Sequence, residues 1–398
     1  SVSLPTRRSR VRPPLPAPEL MLKLCVEGWR YINNSFAIVN QRQLLELLKL
    51  PIYLKHKDVQ YFNKNWNKIK NANGFSDKEN EELQSIKNPK KNETFDVTYR
   101  ISSPFNLAPS NSKKIYIFTT KEFELNNSMF ENGNLIDFNK RKNYFLAASS
   151  NWSKNGLVKF GFNEDQVKVL TLGVDPKIFF PISSERRDEI RNKFGIKKEE
   201  FILLSIGAMT ENKGIKELIL AFSILRKKNK NIKLILKDQS NLYDIFAKSH
   251  IQHLKNSKFK DLINEEIISN IIFISNNLNC EQINDLYGIS DCYVSPYLAE
   301  GFGLTPLEAS SSGTPIVITK GGSTDDYFSP IMGEQISSKL VTNKNASYLR
   351  PNIDSLVENI NLIITNPEKY GGKSSHGLVA DKYSVKNSVQ KLFNELNS

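Results

Sequence analysis

Short apolar runs alternate with longer stretches of helical periodicity along most of the chain. Leu22 to Val26 is apolar and ends at Glu27-Gly28-Trp29, which reads as a strand. A polar loop with Asn33, Asn34 and Ser35 follows. Ile38, Leu44, Leu45 and Leu48 then share one face of a helix predicted over Phe36 to Leu48. Phe95 to Thr98, Lys114 to Phe118 and Tyr144 to Ala148 read as further strands, and Gln166 to Leu170 leads into a linker. Lys55 to Asp96 is rich in Lys, Asn and Glu and holds little that reads as core. It reads as an insertion or flap, or as a solvated helix pair.

The second half repeats the alternation more clearly. Phe201 to Ile206 is a continuous apolar run suited to a buried parallel strand. Ile215, Leu218, Ile219, Phe222 and Leu225 then recur at helical spacing. Lys233 to Leu236, Ile271 to Ile274 and Pro315 to Ile318 are further strand-like runs, and Asp381 to Leu396 is an amphipathic helix. Strand, polar loop, helix is the α/β unit whose loops face ligands at the carboxyl ends of the strands. At 398 residues the chain exceeds one hydrophobic core, so two such domains are expected.

One segment concentrates the chemistry. Glu300-Gly301-Phe302-Gly303-Leu304-Thr305-Pro306-Leu307-Glu308 sets two carboxylates on either side of a glycine loop. The glycines let backbone approach a ligand closely. Thr305 suits an N-cap, Pro306 the first helical position and Glu308 the third, with Gly313 past the helix end. Free N–H groups at such a helix start favour a phosphate. Two plainer explanations stand beside this one. Glu308 could complete a Thr-x-x-Glu capping box, and Glu300 could be a solvated loop acid.

The segment resembles the Glu-x7-Glu signature of retaining family-4-type glycosyltransferases (group 1), which have the GT-B fold. Ser205 to Phe222 resembles that family's Gly-then-Lys-Gly segment, and Leu278 to Gly303 the run into the signature. Ser149 to Pro181, with its Gly173-Val174-Asp175, resembles the end of the first domain and its linker. The likeness is strong over roughly residues 145 to 325.

The resemblance implies two Rossmann-like domains facing a central cleft. The N-terminal, acceptor-side domain would span 21–176 and the C-terminal, nucleotide-sugar-binding domain 177–380, with 381–398 crossing back onto the first. It implies that Glu300 contacts the donor sugar, Glu308 binds the ribose hydroxyls and Lys213 meets the diphosphate. Gly207, Gly301, Phe302, Gly303, Leu304 and Thr305 would complete the donor site. Asn34 and Ser35 occupy the place where paired glycines are expected, with an N-cap by Ser35 as the plain alternative. The family usually carries Arg after the glycine aligned with Gly207; here the residue is Ala208, with Arg30 or Lys237 as candidate substitutes.

The function implied is retaining transfer of a hexosyl group from a nucleotide sugar to a glycan or lipid-linked acceptor, in bacterial polysaccharide or envelope glycan synthesis. No cofactor and no obligatory metal are expected. Two alternatives remain: another GT-B enzyme such as a nucleotide-sugar epimerase, and a weakened or non-catalytic nucleotide-sugar-binding subunit.

Composition adjusts this picture in a few places. Hydrophobic content of 39% supports packed cores. Cys25, Cys280 and Cys292 form neither a disulfide framework nor a zinc spacing, which fits a reducing cytoplasm. His250-x-x-His253 lacks further ligand-type neighbours and reads as a surface or packed pair. A net charge of +13 attracts polyanions and allows peripheral contact at the inner face of a membrane. No zinc finger, helix-turn-helix or RNP-like motif turns that charge into specific nucleic-acid recognition. No run reaches the roughly 18–20 apolar residues of a membrane span. Residues 1–20, with four arginines and five prolines, differ from the Lys/Asn-rich remainder and read as a disordered extension without a secretory apolar region.

Overall fold

In the computed structural model, residues 21–66, 68, 74–342 and 347–398 are described. The expectation for residues 1–20, and part of that for 55–96, lies outside them.

The apolar runs of the first half become β1 (Lys23–Gly28), β2 (Tyr53–Asp58), β3 (Phe95–Ile101), β4 (Phe105–Asn106), β5 (Ser112–Thr119), β6 (Phe130–Glu131), β7 (Tyr144–Ala148) and β8 (Val167–Val169). Six of these form a parallel sheet in the order β2-β1-β3-β5-β7-β8, while β4 and β6 pair separately. Parallel strands need crossover connections, and the amphipathic helices between them supply these and cover the faces. The helix Ser35–Leu47 buries Ala37, Leu44, Leu45 and Leu47.

The sequence reading of Lys55 to Asp96 is corrected at both ends. Tyr53–Asp58 is an edge strand in parallel register with β1, with Lys55 and His56 buried. Phe75, Leu83 and Ile86 are also buried in the first core. The alternating lysines hid the strand, because an edge strand tolerates charge that a central strand would not.

The second half gives β9 (Phe201–Ile206), β10 (Ile232–Lys237), β11 (Ile271–Ile274), β12 (Cys292–Ser295), β13 (Ile316–Thr319) and β14 (Gly333–Ile336). They form a second parallel sheet in the order β11-β10-β9-β12-β13-β14. Its first four runs are almost wholly apolar because helices pack on both faces. β15 (Ser338–Thr342) and β16 (Ser347–Pro351) add an antiparallel hairpin.

Two connections tie the halves together. The linker after β8 pairs with the returning chain, Val174 N–H donating to Tyr383 O at 3.1 Å and Val385 N–H to Val174 O at 2.8 Å. The C-terminal amphipathic stretch is two helices, Gly372–Lys382 and Val385–Asn397, divided where Ser384 caps the second. The second packs on the helix Ser35–Leu47 of the first domain, and the Tyr116 hydroxyl bonds to Glu395 at 3.1 Å. Among the described residues no helix is long and apolar enough to cross a membrane.

Candidate active site

The order of the second sheet reverses between β9 and β12. At such a switch point the flanking loops diverge and leave a crevice at the carboxyl ends of the strands, the usual ligand position in an open α/β sheet. The loop after β9 carries Gly207, Ala208 and Lys213. The loop after β12 carries Glu300 to Gly303.

Lys213 ends a short 3₁₀ turn, Glu211–Lys213, and its Nζ makes an ion pair with Glu300 Oε2. Burial works against the ammonium, but Glu300 and Glu122 outweigh it and hold its pKa above the ordinary lysine value. A cation and a carboxylate thus face each other at the crevice.

The helix start differs from the sequence reading. The helix is Leu304–Ser311 and its N-cap is Gly303, with φ +88° and no side-chain cap. A Cβ on Gly303 would come within 2.7 Å of Thr324 Cγ2 and 2.9 Å of the Tyr327 hydroxyl, so the position requires glycine. Thr305 is not the cap. Its Oγ1 bonds the Tyr293 hydroxyl at 2.8 Å. Glu308 therefore lies beyond the third helical position, and the capping-box explanation fails. What remains is a helix N-terminus free of a side-chain cap beside the Lys213–Glu300 pair, suited to an anion.

Glu308 is instead held by the Tyr287 hydroxyl, which donates to its Oε2 at 2.9 Å. Burial pushes its carboxyl up to about 7, against the Tyr287 bond and the charge of Arg42, which hold it down. Between the ordinary glutamate pKa and about 7, the folded protein holds a proton here that the unfolded chain has lost. Stability should therefore fall as pH rises through that window. Glu308→Gln is expected to flatten this slope, and to weaken nucleotide binding if the carboxylate meets ribose hydroxyls. Thermal melts from pH 4.5 to 7.5, with and without nucleotide, read both effects. An unchanged slope would contradict the burial of this carboxyl.

Gly301 and Phe302 are buried where the domains meet. The hydroxyls of Ser149 and Ser150 donate to Gly301 O at 2.9 and 2.7 Å, so the first domain grips the glycine loop directly. Asn34 reaches the cleft from the other side. Its Oδ1 caps the helix Ser35–Leu47 through Phe36 N–H, and its Nδ2 donates to the Tyr243 hydroxyl of the second domain at 2.9 Å. The N-cap is thus Asn34; Ser35 is the exposed first residue of the helix.

The candidates to replace the missing arginine differ. Arg30 is buried within the first domain, where it binds Asp58 at 2.8 and 3.1 Å and Leu83 O at 2.6 Å. It is committed to structure. Lys237 ends β10, whose last carbonyl accepts from Gly207 N–H at 3.1 Å. Burial lowers its pKa and Asp238 raises it. Of the two, only Lys237 lies at the ligand end of the second sheet.

Sequence reasoning missed Glu122, in the loop after β5. Asn212 Nδ2 donates to its Oε2 at 2.9 Å, a contact between residues ninety positions apart. Glu122 stays exposed to the cleft; desolvation by the atoms around its carboxyl raises its pKa, with Lys213 opposing and Glu300 adding to the rise. Only the folded cleft identifies it. His250 and His253 hold no such role. His250 bonds Met209 O at 2.7 Å, and His253 is exposed. Among the described residues no group of three or more metal-ligating side chains occurs.

Comparison with known proteins agrees with this geometry. Residues 186–372 match the family "Glycosyl transferases group 1". A mannosylfructose-phosphate synthase from Agrobacterium fabrum is 30% identical over 163 residues, which are 41% of this chain and 34% of that protein. The chain thus spans about a third of that relative's length. Among solved structures, a glycosyltransferase from Rickettsia africae superposes with a TM-score of 0.68 at 16% identity, over 95% of this chain and 98% of that one. An Anabaena protein solved with UDP and glucose gives a TM-score of 0.64 at 14% identity, over 95% and 100%. The fold is therefore GT-B.

Proposed function

We propose that this protein is a retaining glycosyltransferase that moves a hexosyl group from a nucleotide-sugar donor to a glycan or lipid-linked acceptor, without an obligatory metal. The observation that carries the reading is the Lys213–Glu300 pair at the switch point, beside the uncapped start of the helix Leu304–Ser311. Breaking the glycosidic bond puts negative charge on the diphosphate and positive charge on the anomeric carbon. Lys213 and the helix N-terminus suit the first, and the Glu300 carboxylate suits the second. Glu308, bonded to Tyr287, suits the ribose hydroxyls. The first domain, which closes on Gly301 through its serines, would present the acceptor. The net charge of +13 favours acceptors at anionic surfaces, including a membrane face.

A thermal-shift panel with UDP, GDP, ADP and their sugar conjugates tests donor binding, because a ligand that binds only the folded state raises the melting temperature with occupancy. The anomeric configuration of the product tests retention. Inverted product would overturn the retaining mechanism, and no shift with any nucleotide would overturn the donor site.

Ala208 favours a second reading, a subunit that binds nucleotide sugar with weak or no transfer. It predicts a thermal shift with donor but neither transfer nor donor hydrolysis.

A further inference from the structure

Glu122 belongs to the first domain, yet its carboxylate is tied to the second. Asn212 Nδ2 is shared between Glu122 Oε2 at 2.9 Å and the carbonyl of Ala299 at 3.1 Å. Asn212 precedes Lys213, and Ala299 precedes Glu300. One amide therefore fixes the Glu122 carboxyl beside both members of the ion pair. Its second oxygen, Oε1, accepts no hydrogen bond among the described residues.

A purely structural role explains this arrangement poorly. Glu300 already neutralises Lys213, so a second carboxylate gives the trio an excess negative charge. That excess lies where a diphosphate has to bind, and like charges in a shared site raise one another's proton affinity. A carboxylate kept at such a place is well suited to taking up a proton.

We propose that Glu122 receives the proton of the acceptor hydroxyl during sugar transfer; this rests on the function proposed above. In a retaining transfer without a covalent enzyme intermediate, the new bond forms on the face from which the phosphate departs. Lys213 marks that face. The acceptor arrives from the first domain, and Glu122 is the carboxylate that this domain sets beside Lys213. The hydroxyl oxygen bonds to the anomeric carbon with a lone pair. The bond from that carbon to the phosphate oxygen breaks, and its electron pair leaves on the nucleoside diphosphate, facing Lys213. The hydroxyl proton passes to Glu122 Oε1 and is later lost to water. The charged and titratable groups facing Glu122 are Lys213 and Glu300, with Tyr243 from the helix Ser240–Tyr243. The negative charge of Glu300 beside it pushes Glu122 toward the range in which a carboxylate is an effective base.

The test compares Glu122→Gln and Glu122→Asp with wild type in steady-state transfer across pH 5 to 8, alongside donor binding by calorimetry. Gln keeps an oxygen for Asn212 and so preserves the contact between the domains. Glu122→Gln is expected to lower kcat by about 100-fold or more, with donor affinity within about threefold, since no donor contact is assigned to Glu122. The wild-type fall in kcat on the acid side should vanish in Glu122→Gln and persist in Glu122→Asp. A Glu122→Gln enzyme with wild-type rate, or one that keeps the acid limb, overturns the inference while the transferase reading stands. Loss of donor affinity equal to the loss of rate would make Glu122 a binding group and also overturn it. A wild-type protein that neither binds nor transfers any nucleotide sugar overturns both.

Discussion

Lys213→Ala is expected to lower kcat/KM for transfer by about 100-fold, which is roughly 2.7 kcal/mol of lost transition-state stabilisation. Two phosphate charges in a cleft need compensation, and a hydrogen bond to a charged group contributes about 1.5–3 kcal/mol. With Ala208 in place of the expected arginine and Arg30 bound to Asp58, Lys213 carries more of that load. Its removal also leaves Glu300 and Glu122 facing the incoming diphosphate without their cation, so the loss should lie at the upper end of the range. Lys213→Arg should recover part of the rate. The measurement is donor affinity and turnover for each variant, with and without EDTA, and EDTA is expected to leave wild type unchanged. A Lys213→Ala enzyme with wild-type kinetics would reduce the ion pair to structure. Loss of wild-type activity in EDTA would mean that a metal supplies positive charge and would end the metal-independent mechanism.

This expectation began as a reading of sequence, and the structure shows where such reading has force. Runs that are almost wholly apolar were legible, because little in them belongs in a loop. Tyr144–Ala148, Phe201–Ile206 and Ile271–Ile274 are strands with the bounds that their apolar runs suggest. β2 was not legible, since its lysines and aspartate are those of an exposed loop until the neighbouring β1 is seen. The helix start at Gly303 was misread for a related reason. Thr305-Pro306 has the composition of a helix beginning, but Tyr293 engages the threonine hydroxyl, and only tertiary packing decides that. Lys213 and Glu300 were singled out through the resemblance of their glycine-containing loops, and the structure brings the two side chains together. Glu122 follows a plain strand, and its meaning comes from Asn212 across the cleft. Local chemistry can be read from local sequence; a site built by two domains closing cannot.

Gly214 offers a sharper test of the site's architecture, because its effect should reach stability and catalysis together. The residue directly follows Lys213, has φ +67° and caps the helix Ile215–Lys228. A Cβ there would stand 1.9 Å from the carbonyl oxygen of Pro296, backbone of the loop leading to Glu300. Gly195 provides the control. Its φ is +64°, nearly the same, but a Cβ would meet nothing within 4 Å. Gly195→Ala should therefore show left-handed strain alone, about 1 kcal/mol. Gly214→Ala should show that strain plus the overpacking of rigid backbone, about 2–4 kcal/mol in all. The second cost cannot be relieved by rotating a side chain. The chain has to move the Lys213 turn away from the Glu300 loop, and a displacement of about 1 Å at a reacting site can cost about 100-fold in rate. Denaturant midpoints and transfer rates for the two variants give the comparison. Gly214→Ala should lose at least about tenfold in kcat/KM, while Gly195→Ala stays near wild type. Equal destabilisation by the two substitutions would mean that the Gly214–Pro296 approach is not as close as described, and the spacing between Lys213 and Glu300 would have to be redrawn.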